Sequence, residues 1–331
     1  METSVVKYIL TGLSVILLTG VSTVGNICLI VVFVQAKQVR TAHNYFFVSL
    51  LLSGLFVGFG YILQCLINLG VLLPWFVCLA AISILLILAQ IVIWSLLALT
   101  VERYIAITRP LTAGNIITKT RAIKILAAIV ITAVLSGGLV PILLSVTSTR
   151  EADIEDATNT CRFSNLVPNS GYHMFLMMCR VVSVFVFFLV YAKIFLVVRR
   201  HMRVIDSQAS QITTTSSVPA ATMEQASTSR DEPILSSSME TRKPWTRKVR
   251  SSAILFALVT YHALSWIPLM IINIPSSESE GYVLLTLVHF ITYSPSALNP
   301  VIYGLGNKEV RSALVNLLRP NRHRNTMATN N

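Results

Sequence analysis

Charged residues are scarce in this sequence: they form 12% of its 331 residues, whereas an ordinary soluble domain carries charge on about a quarter of its positions. Too little polar material exists to coat a water-facing surface. Acidic residues are the scarcer sign, 14 against 26 Lys and Arg. The long apolar stretches contain no paired carboxylates, no zinc-spaced His-Glu-x-x-His and no polar gaps at mid-depth, so an intramembrane enzyme and a transporter both lack their signatures. No cofactor or metal site is expected, and no internal repeat is visible.

What is abundant is hydrophobic sequence, 54% of the chain, and it comes in blocks such as Ile82 to Val101 and Ala122 to Val146. A run of about 20 apolar residues in a helix matches the hydrocarbon thickness of a bilayer. Seven blocks have that character: Tyr8 to Val34, Asn44 to Val71, Cys78 to Thr108, Arg121 to Val146, Tyr172 to Arg200, Arg247 to Ile274 and Gly281 to Leu305. The expected fold is an all-α membrane protein, a seven-transmembrane helix bundle. The first block is too long for a signal-peptide core and is kept as a span.

Lys and Arg near span ends set orientation, because cytoplasmic loops hold an excess of them. One set of connections is basic, with Lys37 and Arg40, Arg109, Lys119 and Arg121, then Arg199, Arg200, Arg203, Lys243 and Arg247, and finally Lys308, Arg311 and Arg319. The opposite set has Lys7, Arg150 and Arg162 against Glu151, Asp153, Glu155, Asp156, Glu278 and Glu280. This predicts a multi-pass plasma-membrane protein with its N-terminus outside and its tail inside. The net charge of +12 is then a topology signal, with attraction to anionic membrane lipids as a second effect; it gives no reason to invoke nucleic acid. The receptor-sized unit is 1–318, within which a third inner loop of about 201–246 is expected to be largely disordered, as is a cytoplasmic tail of 319–331.

Of five cysteines, Cys28, Cys65 and Cys179 fall inside spans and read as small apolar groups. Cys78 and Cys161 fall on the oxidising side, where disulfides persist. A bridge between them is expected to tether the long outer loop over the bundle; two unpaired thiols are the alternative. The tail has no cysteine for palmitoylation, and the outer segments show no Asn-x-Ser/Thr acceptor.

Several short motifs sit at defined places in these blocks. Glu102-Arg103-Tyr104 closes the third, where an ionisable pair is costly unless paired or facing a cavity; two snorkelling side chains are the bland reading. Ser265-Trp266-Ile267-Pro268 lies in the sixth and Asn299-Pro300-Val301-Ile302-Tyr303 ends the seventh, each with a proline that permits a kink. Gly25-Asn26 in the first and Trp75 just before Cys78 complete the set.

That ordered set resembles the rhodopsin-like G-protein-coupled receptors, over about residues 8 to 318. The resemblance implies a receptor, not an enzyme, that passes a signal from a small extracellular ligand to a heterotrimeric G protein. It also implies that Arg103 releases Glu102 on activation and meets the G protein, while Tyr191 and Tyr303 swing inward. Residues 307 to 318, with Val310, Leu314 and Leu317 at helical spacing, would form a short amphipathic eighth helix on the inner leaflet. Ser and Thr residues between Ser207 and Thr241 would offer phosphorylation sites to receptor kinases and so recruit an arrestin; a solvated linker is the alternative.

Within that family the chain is most similar to adenosine receptors, through Arg103 to Ile107, Thr120 to Ala122, Cys161-Arg162-Phe163 with Val167-Pro168, and Trp266 to Asn273. The resemblance implies a ligand site formed by Leu85, Ala89, Gln90, Phe163, Ser164, Trp266, Leu269, Met270, Asn273, His289, Thr292 and Tyr293. Phe163 offers a ring face for stacking a purine, worth about 1–3 kcal/mol per base, or is a buried loop anchor. Asn273 offers an amide that both donates to and accepts from adenine, or bonds its own helix.

Departures from the family pattern are numerous. Gly54 stands where a sodium-binding carboxylate is usual, Ser183 where the fifth-span proline is, His262 for a phenylalanine, Ile131 for a tryptophan and Pro295 for an asparagine. Ribose-facing polarity is replaced by Ala89, Met270 and Phe175, and the loop glutamate by Ser164. A ribose hydroxyl buried against Ala89 or Met270 would go unpaired at roughly 1–3 kcal/mol. An orphan or constitutively active receptor for a non-purine ligand is therefore the alternative. An amine ligand lacks its aspartate, since Leu85 is there, and retinal lacks its lysine in the seventh span. Arg180, mid fifth span, has no place in the pattern: it is a snorkelling or structural charge, or it binds an anionic ligand with His289 assisting. His262 is either a pH sensor or a neutral buried imidazole.

Overall fold

A computed structural model describes residues 2–36, 42–71, 73–148, 166–167, 169–215, 252–271, 279–306 and 308–318. Among them are seven helices long and apolar enough to cross a membrane. They are α1 (Glu2–Gln35), α2 (Ala42–Asn68), α3 (Trp75–Thr108), α4 (Lys119–Val134), which runs on through Leu135–Leu139 into Val140–Ser148, α5 (Ser170–Thr215), α6 (Ser252–Leu269) and α7 (Ser279–Tyr293, resumed at Pro295–Gly306). A short helix, α8 (Lys308–Leu318), follows. The described residues are all helical or connecting, as expected.

The exterior is greasy. Ile16, Phe76 and Phe185 are each more than 60% exposed, which suits lipid and not water. The interior holds a continuous core near the Arg103 end, with Phe46, Phe47, Leu50, Leu96, Leu99, Leu255 and Tyr303 fully or almost fully buried. Val310 and Ala313 of α8 join this core while Arg311 and Ser312 stay exposed.

Local sequence explains the close approaches. In α4 the backbone widens to π-helical winding over Leu135–Leu139, and a Cβ added at Gly137 would stand 2.8 Å from the Ile87 backbone nitrogen. Gly137 therefore lets α4 rest directly on the backbone of α3. Tyr172 of α5 donates to the Ser136 carbonyl in the same wide turn at 2.6 Å. A Cβ at Gly25 would meet Pro300 Cγ at 2.8 Å, so glycine is what allows α1 to reach the kinked half of α7.

Proline interrupts two helices. Pro268 lacks the donor that the Leu264 carbonyl would accept from, and α6 breaks at Trp266 before resuming as Ile267–Ile271. In α7 the break falls at Ser294, whose carbonyl takes the Ala297 and Leu298 amides at 3.0 Å each; Pro295 thus starts a new helix in the position that tolerates it. By contrast α5 has no break. Ser183, in place of the usual proline, donates to the Cys179 carbonyl at 2.7 Å within an intact helix.

One boundary differs from the sequence expectation. α5 continues to Thr215, so the first part of the 201–246 segment is helix. No glycine or proline interrupts the sequence before Pro219, and residues such as Met202, Arg203, Gln208 and Ala209 favour helix once a span has nucleated it. The rest of that loop and the 319–331 tail lie outside the described residues.

Candidate functional site

The Arg103 end holds a compact polar latch. His43 Nδ1, at the start of α2, lies 2.9 Å from Glu102 Oε2; Arg103 Nε forms an ion pair with the same oxygen at 2.9 Å and lies within hydrogen-bond reach of His43 Nδ1 at 3.3 Å. The side chains of His43, Glu102 and Arg103 are only 6%, 13% and 15% exposed, so solvent screens the pair weakly. Beside it Tyr303 donates to Asn44 Oδ1 at 2.7 Å and stacks on Phe47 with ring centroids 3.5 Å apart. Two consecutive residues of α2 therefore hold α3 and α7 at once. Tyr191 is buried close by, edge-on to Phe256 at 5.0 Å, and Tyr104 packs on the core.

His43 and Asn44 were not among the residues singled out from sequence. The available signal was the placement of an imidazole and an amide at a membrane boundary, which needs partners as much as Glu102 does.

Further along α7, Pro300 removes the donor for the Ser296 carbonyl. Asn26 supplies it, its Nδ2 donating to Ser296 O at 3.0 Å and to Ser22 O at 2.7 Å. Ser22 in turn donates to the Gly54 carbonyl at 3.0 Å. Asn26 is fully buried and Asn299 nearly so. At Gly54 a Cβ would lie 3.2 Å from Asn26 Oδ1, so this glycine occupies the side of α2 that faces the Asn26 amide, where it offers no side-chain ligand.

At mid-depth the expected ligand residues separate into groups. Trp266 stands at the break of α6, with the Arg180 guanidinium 3.7 Å from its ring centroid and the His262 ring edge-on at 6.4 Å. Thr292 donates to the Ser265 carbonyl at 3.1 Å, joining α7 to α6. Tyr293 packs against Tyr61 and His289; His289 Nδ1 lies 2.9 Å from the Leu285 carbonyl and 3.3 Å from Asn68 Nδ2. On α3, Ala89 and Gln90 are buried, while Leu85 fills the gap above Gly60, where a Cβ would stand 2.3 Å from its Cδ2. Leu269 is partly buried on the short helix after Trp266.

Phe163, Ser164 and Asn273 lie outside the described residues, as does the side chain of Met270. Cys78 is disulfide-bonded and fully buried, and Cys28, Cys65 and Cys179 are free thiols. The expected partner, Cys161, is also outside the described residues.

Comparison with known proteins settles the family. The model for the seven-transmembrane receptors of the rhodopsin family matches residues 25–303. The chain belongs to the rhodopsin family of seven-transmembrane receptors. This receptor is similar to the human adenosine receptor A2b, 25% identical over 315 residues that cover 89% of the chain and 86% of that protein. It is similar also to the cattle adenosine receptor A2b, at 26% over 314 residues, covering 89% and 85%. The human adenosine receptor A2a is 27% identical over 299 residues, 86% of the chain and 66% of that protein. The receptor is thus a multi-pass membrane protein of signal transduction and not an enzyme.

Proposed function

We propose that this receptor sits in the plasma membrane with its N-terminus outside, takes a small extracellular ligand between α3, α6 and α7, and passes the signal to a heterotrimeric G protein at the Arg103 end. The observation that carries this reading is the latch. Glu102 is shared by Arg103 and His43, and Tyr303 is tied to Asn44. An interaction that both breaks at one point and frees a guanidinium for a partner is a two-state element, which is what transduction requires. Its position among basic connections favours the cytoplasmic side.

A purine nucleoside is the first ligand to test, on the strength of the likeness to proteins named adenosine receptors and of the roles assigned to Phe163 and Asn273. A non-purine ligand is the second reading, favoured by the apolar side chain of Ala89 on the buried face of α3.

The test uses membranes containing the receptor and purified heterotrimeric G protein, with nucleotide exchange as readout. Exchange above empty membranes, lost in Arg103→Ala, is expected. Exchange equal in wild type and Arg103→Ala would remove the coupling role. In the same assay Asn273→Ala should weaken adenosine by about tenfold or more, the value of one bidentate adenine contact; unchanged adenosine potency would eliminate the purine pocket.

A further inference from the structure

Arg180 is a half-buried cation with no acidic side chain paired to it among the described residues. It lies about 15 Å along α5 from Ser170, given 1.5 Å of rise per residue, which puts it deep in the span. Its Nη1 is buried and has no hydrogen-bond partner among the described residues. Apart from Glu2, Asp206 and Glu280 near helix ends, the seven membrane-crossing helices contain one acidic residue, Glu102, and that carboxylate is engaged by His43 and Arg103 at one end of the bundle.

The surroundings repeat the pattern. Trp266 Nε1, a pure donor, and both ring nitrogens of His262 are likewise buried without partners among the described residues. His262 and Tyr293 lie within electrostatic reach of the guanidinium. Three neighbouring side chains from two helices thus present unused donor capacity around a positive charge that has no ion-pair partner among the described residues. Buried polar groups in a membrane are expected to be paired or to meet a ligand. A guanidinium offers a planar fork of donors that fits two oxygens of a carboxylate or phosphate.

We propose that Arg180 is the anchor for an anionic ligand, whose carboxylate or phosphate oxygens sit beside Trp266 and His262. The inference rests on the receptor reading and gives its ligand a chemical class. It also places the anion on the ring at which α6 breaks, so an occupant that draws the guanidinium off Trp266 acts directly at that break.

The full-length receptor in lipid nanodiscs, as wild type, Arg180→Gln and Arg180→Lys, tests this by thermal unfolding with matched probes. Adenosine 5′-monophosphate against adenosine examines the phosphate source, and octanoate against octanol the carboxylate source. At least one anionic member should raise the wild-type melting temperature more than its neutral counterpart does. Arg180→Gln should weaken that anion by about tenfold or more, the usual effect of losing a charge-assisted hydrogen bond, and Arg180→Lys should keep part of the response. An equal effect of each neutral counterpart, a full response in Arg180→Gln, or no response of wild type to either anion would each overturn the proposal. Nucleotide exchange on the same samples separates the two readings: an anion-dependent shift without exchange would leave the site standing and remove the coupling.

Discussion

The Arg103 end and the Trp266 level of one bundle treat charge in opposite ways. At the first, Glu102 is paired with Arg103 and hydrogen-bonded to His43, and Tyr303 has a fixed acceptor in Asn44. At the second, Arg180 rests on an aromatic face, with a buried Nη1 that no described residue accepts. The difference teaches that burial alone does not decide whether a polar group is structural. A cluster whose charges are paired ties helices together, whereas an unpaired charge is a cost the fold carries.

The widest split between the two regions should come from removing one charge in each. Glu102→Ala leaves the Arg103 guanidinium without its carboxylate, with the His43 ring nitrogen 3.3 Å away as the remaining contact, and breaking a buried pair costs roughly 3–5 kcal/mol. It should lower the melting temperature and raise basal nucleotide exchange. Arg180→Gln removes a charge that has no ion-pair partner among the described residues, so the lost contact with Trp266, about 1–2 kcal/mol, is offset by relief of desolvation. Its melting temperature should stay near or above wild type. Thermal unfolding of both variants measures the contrast, and an Arg180→Gln protein as unstable as Glu102→Ala would make Arg180 structural.

How far this contrast was legible in the sequence depends on whether a feature is periodic or pairwise. The seven spans follow from runs of hydrophobic residues, and Glu102, Arg103, Trp266 and Tyr303 stand out because charge, indole and phenol are rare at those depths. Partnerships across helices were not legible. Nothing in Thr41-Ala42-His43-Asn44 says that α2 turns both polar side chains toward α3 and α7, since that depends on helix rotation and not on spacing. Gly25-Asn26 was visible as a pair, but its reason, a close approach to Pro300 and a carbonyl freed by it, exists only once α1 and α7 are packed. The Thr215 end of α5 was missed because hydropathy marks where lipid ends, while helix propensity carries the helix on to Thr215.

The next effect is smaller and tests whether satisfied groups hold the bundle along its whole length. In Asn26→Leu the Ser296 carbonyl loses the donor that compensates for Pro300. A buried acceptor left unpaired costs about 1–3 kcal/mol, and leucine cannot replace the bond to Ser22 either. The melting temperature should fall by less than in Glu102→Ala, with surface expression retained. Unchanged stability would mean that water serves the Ser296 carbonyl instead of Asn26.

The smallest change sharpens the latch itself. Tyr303→Phe deletes one hydroxyl, leaving the ring free to keep its 3.5 Å stack on Phe47 while Asn44 Oδ1 loses its donor. A single neutral hydrogen bond contributes about 1 kcal/mol, so stability should drop slightly. The more telling readout is basal nucleotide exchange. Tyr303 and Glu102 hold different helices to the same pair of residues on α2, so if they form one two-state element, the double variant Glu102→Ala/Tyr303→Phe should show less than the sum of the two single effects. Strict additivity would mean that the α3 and α7 arms open independently, and the latch would then be two contacts and not one switch.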